Sequence, residues 1–398
     1  REKTAGIALR GSGVLLSGMS RSPILVTGAT GFIGREVARR LLAAAWPVVA
    51  LARGKEDEPA PDRVAQALGF APDGVRLDVV EGDLSLPGLG LAESDWRRLR
   101  ASVETVIHCA GETTFFPEDM ASFRQGHIDG PLDLLHGLRG GRLRRWVHLS
   151  TAYVCGKRTG RVLEREGDLG QEFHNPYERV KLEAEIALRR AGARLGLDVR
   201  VFRPSIVVGA APATTGATPS NLFFDFIRMA ARLARLADGA PVPLRIGAAP
   251  GARFNLVPVE YVAAAVVALA DHPRAAGETV HLVVADPPTH AEMLDIITER
   301  LGLRGLSLAD PRGGPLPDPS PLEEMVIRML SGYRDYLEQD VRFDDTTARG
   351  LLDGSGVPPA TLSPEAIHRL IDRALVEPKA SISPRFDVPV IPRPSSPR

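Results

Sequence analysis

Short apolar runs alternate with helical repeats through the first two hundred residues. Pro23–Thr27, Val48–Leu51, Val75–Val80, Glu104–Cys109, Arg145–Ser150 and Val199–Arg203 read as buried strands of four to six residues. Between them lie segments of helical period: Arg35 to about Ala45, Ser94–Ala101, Ala121–Leu138 (interrupted near Gly126 and Gly130) and a helix through Tyr177 to about Arg194. Asp62–Gly74 reads as a connection punctuated by Pro and Gly. Alternation of this kind predicts an α/β fold, a doubly wound parallel sheet of Rossmann type with helices on both faces. Ligands of such sheets sit at the carboxyl ends of the strands, where Asp83, Ala110, Thr151 and Arg203 fall.

After Pro204 the pattern changes. Gly209–Ser220 is a Gly/Pro/Thr loop, and Phe223–Ala237, Tyr261–Ala270, Thr289–Leu301, Pro321–Tyr336 and Pro364–Leu375 read as helices. Phe254–Val259 and Val280–Val284 read as two further strands. The predicted division is a leader at 1–18, a dinucleotide domain at 19–205 to which 254–285 return, a smaller and mostly helical substrate domain from 206–253 and 286–376, and a proline-rich mobile tail at 377–398.

The first strand runs into Gly28-Ala-Thr-Gly31-Phe-Ile-Gly34 and then a helix. In that context the glycines carry a mechanism: Gly28 permits the tight turn, Gly31 lets backbone N–H groups approach a pyrophosphate, and Gly34 allows close helix–strand packing. A dinucleotide site follows. The second strand ends in Ala52-Arg53 rather than in the carboxylate that would hold a ribose 2′-hydroxyl, and Arg35 follows the glycine turn. Two guanidinium groups suit a 2′-phosphate, so NADPH (NADP+) is expected over NADH. The plain alternative is that both arginines are solvated surface charges.

Composition narrows this further. Lys+Arg and Asp+Glu both number 49, which removes any global electrostatic case for nucleic acid or an anionic membrane. Cys109 and Cys155 are the only cysteines, too few for a disulfide framework, so a cytoplasmic setting is expected. The longest apolar runs, Leu41–Ala52 and Val262–Ala270, are too short to span a bilayer.

Asn175-Pro-Tyr-Glu-Arg-Val-Lys181 carries the chemistry. Asn175 suits a helix cap and Pro176 the first helical position, so Tyr177 and Lys181, four apart, share a face. An ammonium close to a phenol favours the phenolate and makes a better acid. With five Tyr and five Lys in the chain, chance supplies such a pair only about 0.06 times. The alternative is a surface helix with an incidental pair.

Seven segments together resemble the extended short-chain dehydrogenase/reductases. They are Thr27-Gly-Ala-Thr-Gly-Phe-Ile-Gly34, Glu81-Gly-Asp-Leu84, Val106-Ile-His-Cys-Ala-Gly-Glu-Thr-Thr-Phe-Phe116, Val147-His-Leu-Ser-Thr-Ala-Tyr-Val-Cys-Gly156, Tyr177-Glu-Arg-Val-Lys181, Phe202-Arg-Pro-Ser-Ile-Val-Val-Gly209 and Phe254-Asn-Leu-Val-Pro-Val-Glu-Tyr-Val262. Within that superfamily the chain is similar to the fatty-acyl and carrier-bound thioester reductases, chiefly through Thr113-Thr-Phe-Phe116 and Ser150-Thr-Ala-Tyr-Val154. The resemblance implies that Thr151 bonds the substrate carbonyl, with Ser150 as the competing hydroxyl. It implies that Tyr177 donates the proton and that Lys181 bonds the nicotinamide ribose and lowers the phenol's pKa. The implied cofactor set is Gly28, Thr30, Gly31, Phe32, Ile33, Gly34, Arg35, Arg53, Asp83, Leu84, Ala110, Gly111, Tyr177, Lys181, Arg203 and Pro204, with no metal ligand. Two positions depart from the family: His127 stands where Asn is usual beside a helix kink and relay water, and Val180 where Ser is frequent.

The expectation is an NADPH-dependent reductase that transfers hydride to the carbonyl of an apolar substrate, small or carrier-bound, foremost an acyl thioester on CoA or an acyl carrier protein. Ketone or hydroxysteroid-type oxidoreductase, sugar-nucleotide epimerase or dehydratase, and non-catalytic NADP sensor are the competing readings. Leu222, Phe223, Phe226 and Met229 fall at helical spacing that suits either an apolar channel or plain core, and Arg228, Arg232 and Arg235 either a basic helix face at its entrance or a solvated helix face. Neither a nucleic-acid partner nor a membrane span is expected, and the chain is read as a monomer or homodimer.

Overall fold

A computed structural model describes residues 21–55, 57–209 and 222–376. The leader at 1–18, the Gly/Pro/Thr loop at 210–220 and the tail from Glu377 lie outside the described residues. Seven strands form one parallel sheet: β1 (Ile24–Thr27), β2 (Val48–Ala52), β3 (Leu77–Glu81), β4 (Thr105–His108), β5 (Arg145–Leu149), β6 (Asp198–Pro204) and β7 (Thr279–Leu282). Their spatial order is β7-β6-β5-β4-β1-β2-β3, so the chain reverses its direction of growth between β1 and β4. That switch opens a crevice at the carboxyl ends of these two strands.

The strands are almost wholly buried because helices cover both faces. In chain order the helices are α1 (Phe32–Ala43), α2 (Ala60–Leu68), α3 (Glu93–Ser102), α4 (Met120–Arg124), α5 (Gly130–Gly137), α6 (Pro176–Leu195), α7 (Leu222–Ala237), α8 (Val259–Ala270), α9 (His290–Leu301), α10 (Pro321–Leu330), α11 (Arg334–Glu338), α12 (Thr346–Leu352) and α13 (Pro364–Val376). Val37 and Leu41 of α1 pack with Val262 and Val266 of α8 and Leu351 of α12 on one face. Trp96 and Leu99 of α3, Leu134 of α5 and Leu188 of α6 cover the other. A second core joins Phe224 and Ile227 of α7, Ile297 of α9, Val326 of α10 and Ile371 of α13.

Local chemistry sets the helix ends. Asn175 Oδ1 accepts the Glu178 N–H at 3.1 Å and opens α6, while Gly196 in the left-handed region closes it. Reciprocal Ser/Thr–Glu capping boxes start α9 (Thr289, Glu292) and α10 (Ser320, Glu323).

The predicted connection at 62–74 instead contains α2. Pro61 lies in its first turn, Gly69 closes it in the left-handed conformation, and Val64 and Leu68 are buried between. The predicted single helix Pro321–Tyr336 stops at Leu330; a 3-10 turn at Ser331–Tyr333 then reorients the chain into α11. Three short parallel pairs lie outside the main sheet: Ile206–Val208 with Leu256–Pro258, Leu244–Gly247 with Leu306–Ala309, and Gly160–Val162 with Val341–Phe343; of these six strands only Leu256–Pro258 falls within a predicted one, Phe254–Val259.

Candidate active site

The turn after β1 is held by close backbone contact. Gly28 has φ +70°, and a Cβ there would meet Ala110 N at 2.7 Å; one on Gly34 would meet the Gly28 carbonyl oxygen at 2.2 Å. Thr27 Oγ1 fastens the two strand ends, accepting the Ala110 N–H at 3.2 Å and lying 2.8 Å from His108 Nδ1. At the N-terminus of α1 no side chain caps Gly31 and the first turn has no acidic residue. These open N–H groups and the helix dipole suit a pyrophosphate.

A cleft of about 840 Å³ extends from this turn. Of the expected cofactor residues, it is lined by Gly28, Thr30, Gly31, Arg53, Asp83, Leu84, Ala110 and Gly111. Asp83 accepts hydrogen bonds from the N–H and hydroxyl of Ser85 at 2.9 and 2.8 Å and lies 3.8 Å from the largely exposed Arg53 guanidinium. Arg63 of α2 also lines the cleft, and its Nη1 donates to the Arg53 carbonyl. Arg35 is buried and is not among the lining residues; burial, then the neighbouring Arg39, lowers its pKa. The pair of guanidinium groups at the cleft is thus Arg53 with Arg63. Reading the α2 segment as a loop hid the second arginine, although an amphipathic period in 60–68 was available to find it.

Beyond the His127 wall of the cleft stands α6; Tyr177, Lys181 and Thr151 are not themselves among the cleft-lining residues. Gln125–Asp129, between α4 and α5, forms a π turn, as the glycines at 126 and 130 suggested, and carries His127 into the cleft wall. The His127 ring centroid stands 6.1 Å from that of Tyr177, edge to face. Tyr177 is half-buried and Lys181 fully buried, its Nζ donating to the Leu149 carbonyl at 2.6 Å. Thr151, just beyond β5, accepts the Tyr153 N–H at 3.3 Å and so keeps its own proton to donate. The Ser150 hydroxyl is buried with no partner among the described residues.

Burial dominates the electrostatics here. It raises the Tyr177 pKa, with the Glu178 carboxylate adding to the rise, so the sequence-based expectation of a depressed phenol pKa is reversed. Lys181 is itself brought down to about 8 by burial, opposed by Glu185 and Cys109. Burial, then the Lys181 charge, holds His127 at about 3, a neutral ring at physiological pH. The Cys109 thiol is pushed up to about 12 by burial, which leaves it a poor nucleophile although it lines the cleft.

Three further placements differ from expectation. Arg203 is buried on β6, with Nε and Nη2 on Glu185 at 3.0 and 2.6 Å and Nη1 on the Glu164 and Glu166 carbonyls at 3.2 and 2.7 Å. All its nitrogens bind protein, and neither it nor Pro204 lines the cleft. Phe32, Ile33 and Gly34 form the start of α1 behind the cleft lining. On α7, Phe223 and Phe226 line a separate apolar cavity, while Met229 is buried and lies outside that lining; the side chain of Leu222 lies outside the described residues. Arg228 pairs with Asp225 at 3.2 Å, and Arg232 and Arg235 are exposed.

Phe115 links Tyr177 to rings from the C-terminal third. Phe115 packs on Tyr177 at 6.2 Å between centroids and is itself flanked by Tyr333 and Tyr336 at 5.4 and 5.6 Å. Tyr336 donates its hydroxyl proton to Glu178 and accepts from Asn175 Nδ2 at 2.7 Å, which anchors α11 to the first turn of α6. Nothing in the sequence linked Tyr336 with a helix some 160 positions earlier.

No described helix is long and apolar enough to cross a membrane, and no group of three metal-ligating side chains occurs among the described residues. Residues 26–266 match the family described as male sterility protein, an NAD-binding family. The chain is 30% identical over 293 residues to the L-2-aminoadipate reductase large subunit of Penicillium chrysogenum, an alignment covering 67% of this chain and 20% of that protein. It is 27% identical over 276 residues to a carboxylic acid reductase of Segniliparus rugosus, covering 62% and 23%. The chain therefore spans less than a quarter of either relative's length. The terminal R domain from the myxalamid PKS-NRPS biosynthetic pathway superposes with a TM-score of 0.72 at 23% identity, over 91% of this chain and 92% of that one.

Proposed function

The chain belongs to the male sterility protein family, within the extended short-chain dehydrogenase/reductases of thioester-reductase type, and from this premise we propose that it reduces a carrier-bound acyl thioester with NADPH. That it is an NAD(P)-dependent oxidoreductase is the coarser statement, carried by the family and its reductase members. The finer reading is supported above all by the contact of Tyr177 with His127 in the wall of a cleft that Arg53 and Arg63 also line.

Gly28, Gly31 and the open first turn of α1 would hold the pyrophosphate, Asp83 and Leu84 would lie by the adenine, and Arg53 and Arg63 would pair with the 2′-phosphate. NADPH bound in this way supplies a hydride. Thr151 donates a hydrogen bond to the thioester carbonyl oxygen and orients the carbon. As negative charge develops on that oxygen, Tyr177 gives it the phenolic proton. The raised pKa of the phenol keeps the proton in place until then, and the neutral His127 ring beside it adds no competing charge. The Lys181 ammonium, fixed by the Leu149 carbonyl, stabilises the phenolate that remains. The hemithioacetal then collapses: the C–S bond breaks, its sulfur takes the hydroxyl proton and leaves as thiol, and aldehyde is released.

A single screen tests this. NADPH oxidation is followed with acyl-CoAs, acyl carrier thioesters, apolar ketones and nucleotide sugars, with thiol release measured in parallel. Thiol release matched to NADPH loss is expected; turnover of ketones alone would overturn the thioester reading. In the same assay Arg53→Ala with Arg63→Ala removes two charge-assisted contacts. NADPH should bind roughly 10- to 100-fold more weakly, the equivalent of one such contact or a little more, with NADH little changed. Equal wild-type affinities for the two cofactors would reject the 2′-phosphate assignment.

A further inference from the structure

Tyr336, a side chain of α11 in the C-terminal lobe, contacts neighbours of both Tyr177 and Thr151. Its hydroxyl accepts from Asn175 Nδ2 at 2.7 Å and donates to Glu178 Oε1, and these two residues flank Tyr177 in the first turn of α6. Its ring centroid is 5.6 Å from that of Phe115, which packs on Tyr177. On another side it is 5.2 Å from Tyr153, whose N–H is bonded to Thr151 Oγ1.

The hydroxyl closes a ring of hydrogen bonds. Asn175 Nδ2 donates to Tyr336, Tyr336 donates to Glu178, and the Glu178 N–H returns to Asn175 Oδ1. Glu178 is fully buried, so its carboxylate depends on donors from the protein. Within α6 it has the His174 N–H at 3.0 Å on Oε2, and His174 Nδ1 stands 3.0 Å from Oε1; the lobe adds the Tyr336 hydroxyl. Burial, then the Glu178 charge, raises the Tyr336 pKa, so that hydroxyl keeps the proton it donates. The first turn of a helix lacks intrahelical partners for its N–H groups and is the turn most in need of outside support. Leu337, the next residue after Tyr336, is buried in the second core, so the position of the hydroxyl is fixed by the packing of the lobe.

We propose that Tyr336 is a positioning residue for the reaction: by its bonds to Asn175 and Glu178 and its contact with Phe115, it holds the Tyr177 phenol in the place from which it can protonate the substrate oxygen. The inference rests on Tyr177 being the proton donor and adds that the donor's geometry is set from the lobe. A displacement of about 1 Å is enough to cost a reaction roughly 10²-fold.

The test is kinetic. Tyr336→Phe keeps the stacked ring and removes the hydroxyl. NADPH oxidation is followed with octanoyl-CoA and, separately, with octanal, whose reduction needs the same proton but releases no thiol. With either compound kcat should fall about 10- to 100-fold, while KM and the NADPH Kd from fluorescence titration stay at their wild-type values. Asn175→Ser keeps a helix cap but gives up the donor to Tyr336; it should lower kcat in the same way and serves if Tyr336→Phe fails to fold. Adding Glu178→Gln to Tyr336→Phe should cost no more than the worse single change, because both act on one bond. Adding Tyr336→Phe to Tyr177→Phe should cost nothing further. Arg334→Ala loosens the same helix by removing its exposed pair with Glu338 and should keep the wild-type kcat. Wild-type kcat in Tyr336→Phe and Asn175→Ser, with Tyr177→Phe inactive, would overturn the positioning role and leave the donor reading standing. An equal loss in Arg334→Ala would also overturn it, as a general loosening of the lobe. Full activity in Tyr177→Phe would remove the donor reading and this inference with it. Octanal reduction that is lost in Tyr336→Phe, without turnover of octanoyl-CoA, would support the positioning role and remove the thioester reading instead. Turnover of neither compound by the wild type would overturn both.

Discussion

The sheet half and the C-terminal lobe of this protein solve different problems with different material. At the carboxyl ends of β1 and β4 the wall of the cleft is rich in backbone, small residues and polar groups, several with an assigned partner: Thr27 with Ala110 and His108, Asp83 with Ser85. In the lobe the apolar cavity has one polar side chain and is shaped by the volumes of Phe223, Phe226, Leu330 and Leu337. Removing one atom from the first region leaves a buried polar group without its partner, whereas removing several from the second mainly changes a volume. Positions in the cleft should thus respond to substitution by chemistry, and positions in the lobe by size.

The sharpest contrast is expected at Tyr177. Tyr177→Phe keeps the ring and its packing on Phe115 but removes the proton, so turnover should fall by about 10²- to 10⁴-fold with little change in NADPH affinity or thermal stability. Retention of most of the wild-type kcat would place the acid elsewhere.

Next comes the buried Arg203–Glu185 pair, which belongs to the sheet half although it lies outside the cleft. Arg203→Ala should cost about 3–5 kcal/mol in urea unfolding, because it strands a buried carboxylate. The double change Arg203→Met with Glu185→Leu should recover much of that loss. If the single variant unfolds like the wild type, polar pairing is not what holds this half together.

The smallest effect is a shift in a pH profile. With Tyr177 raised well above its usual value, the group that titrates first on the alkaline side is Lys181, at about 8. Its ammonium is present below that pH and lost above it, so kcat/KM should decline as pH rises through about 8. Lys181→Arg should remove that limb, since a guanidinium stays protonated throughout. A limb that persists at the same pH in the variant would assign it to another group.

What was legible in the sequence was chemistry enforced over a few residues. Gly28 and Gly34 announce the dinucleotide turn because no side chain fits against Ala110 or the Gly28 carbonyl. Asn175, Pro176, Tyr177 and Lys181 announce a capped helix with an acid and a cation on one face because helical spacing and end chemistry are local. The alternation of apolar runs and helical periods was enough for the parallel sheet, since strands buried on both faces must be apolar throughout. Tertiary structure decided the rest. The sequence could not say that Arg63 rather than Arg35 stands in the cleft beside Arg53, because that depends on how α2 docks. Nor could it show that burial, with Glu178 adding to it, would raise the Tyr177 pKa, since desolvation is a property of everything packed around the ring. The strands at 160–162 and 341–343 are too short to read alone and exist only through each other, across 180 residues of chain. The same holds for Tyr336 on Glu178 and for the cavity behind it: contacts between distant segments leave no periodic mark in either one, so only the folded chain brings them together.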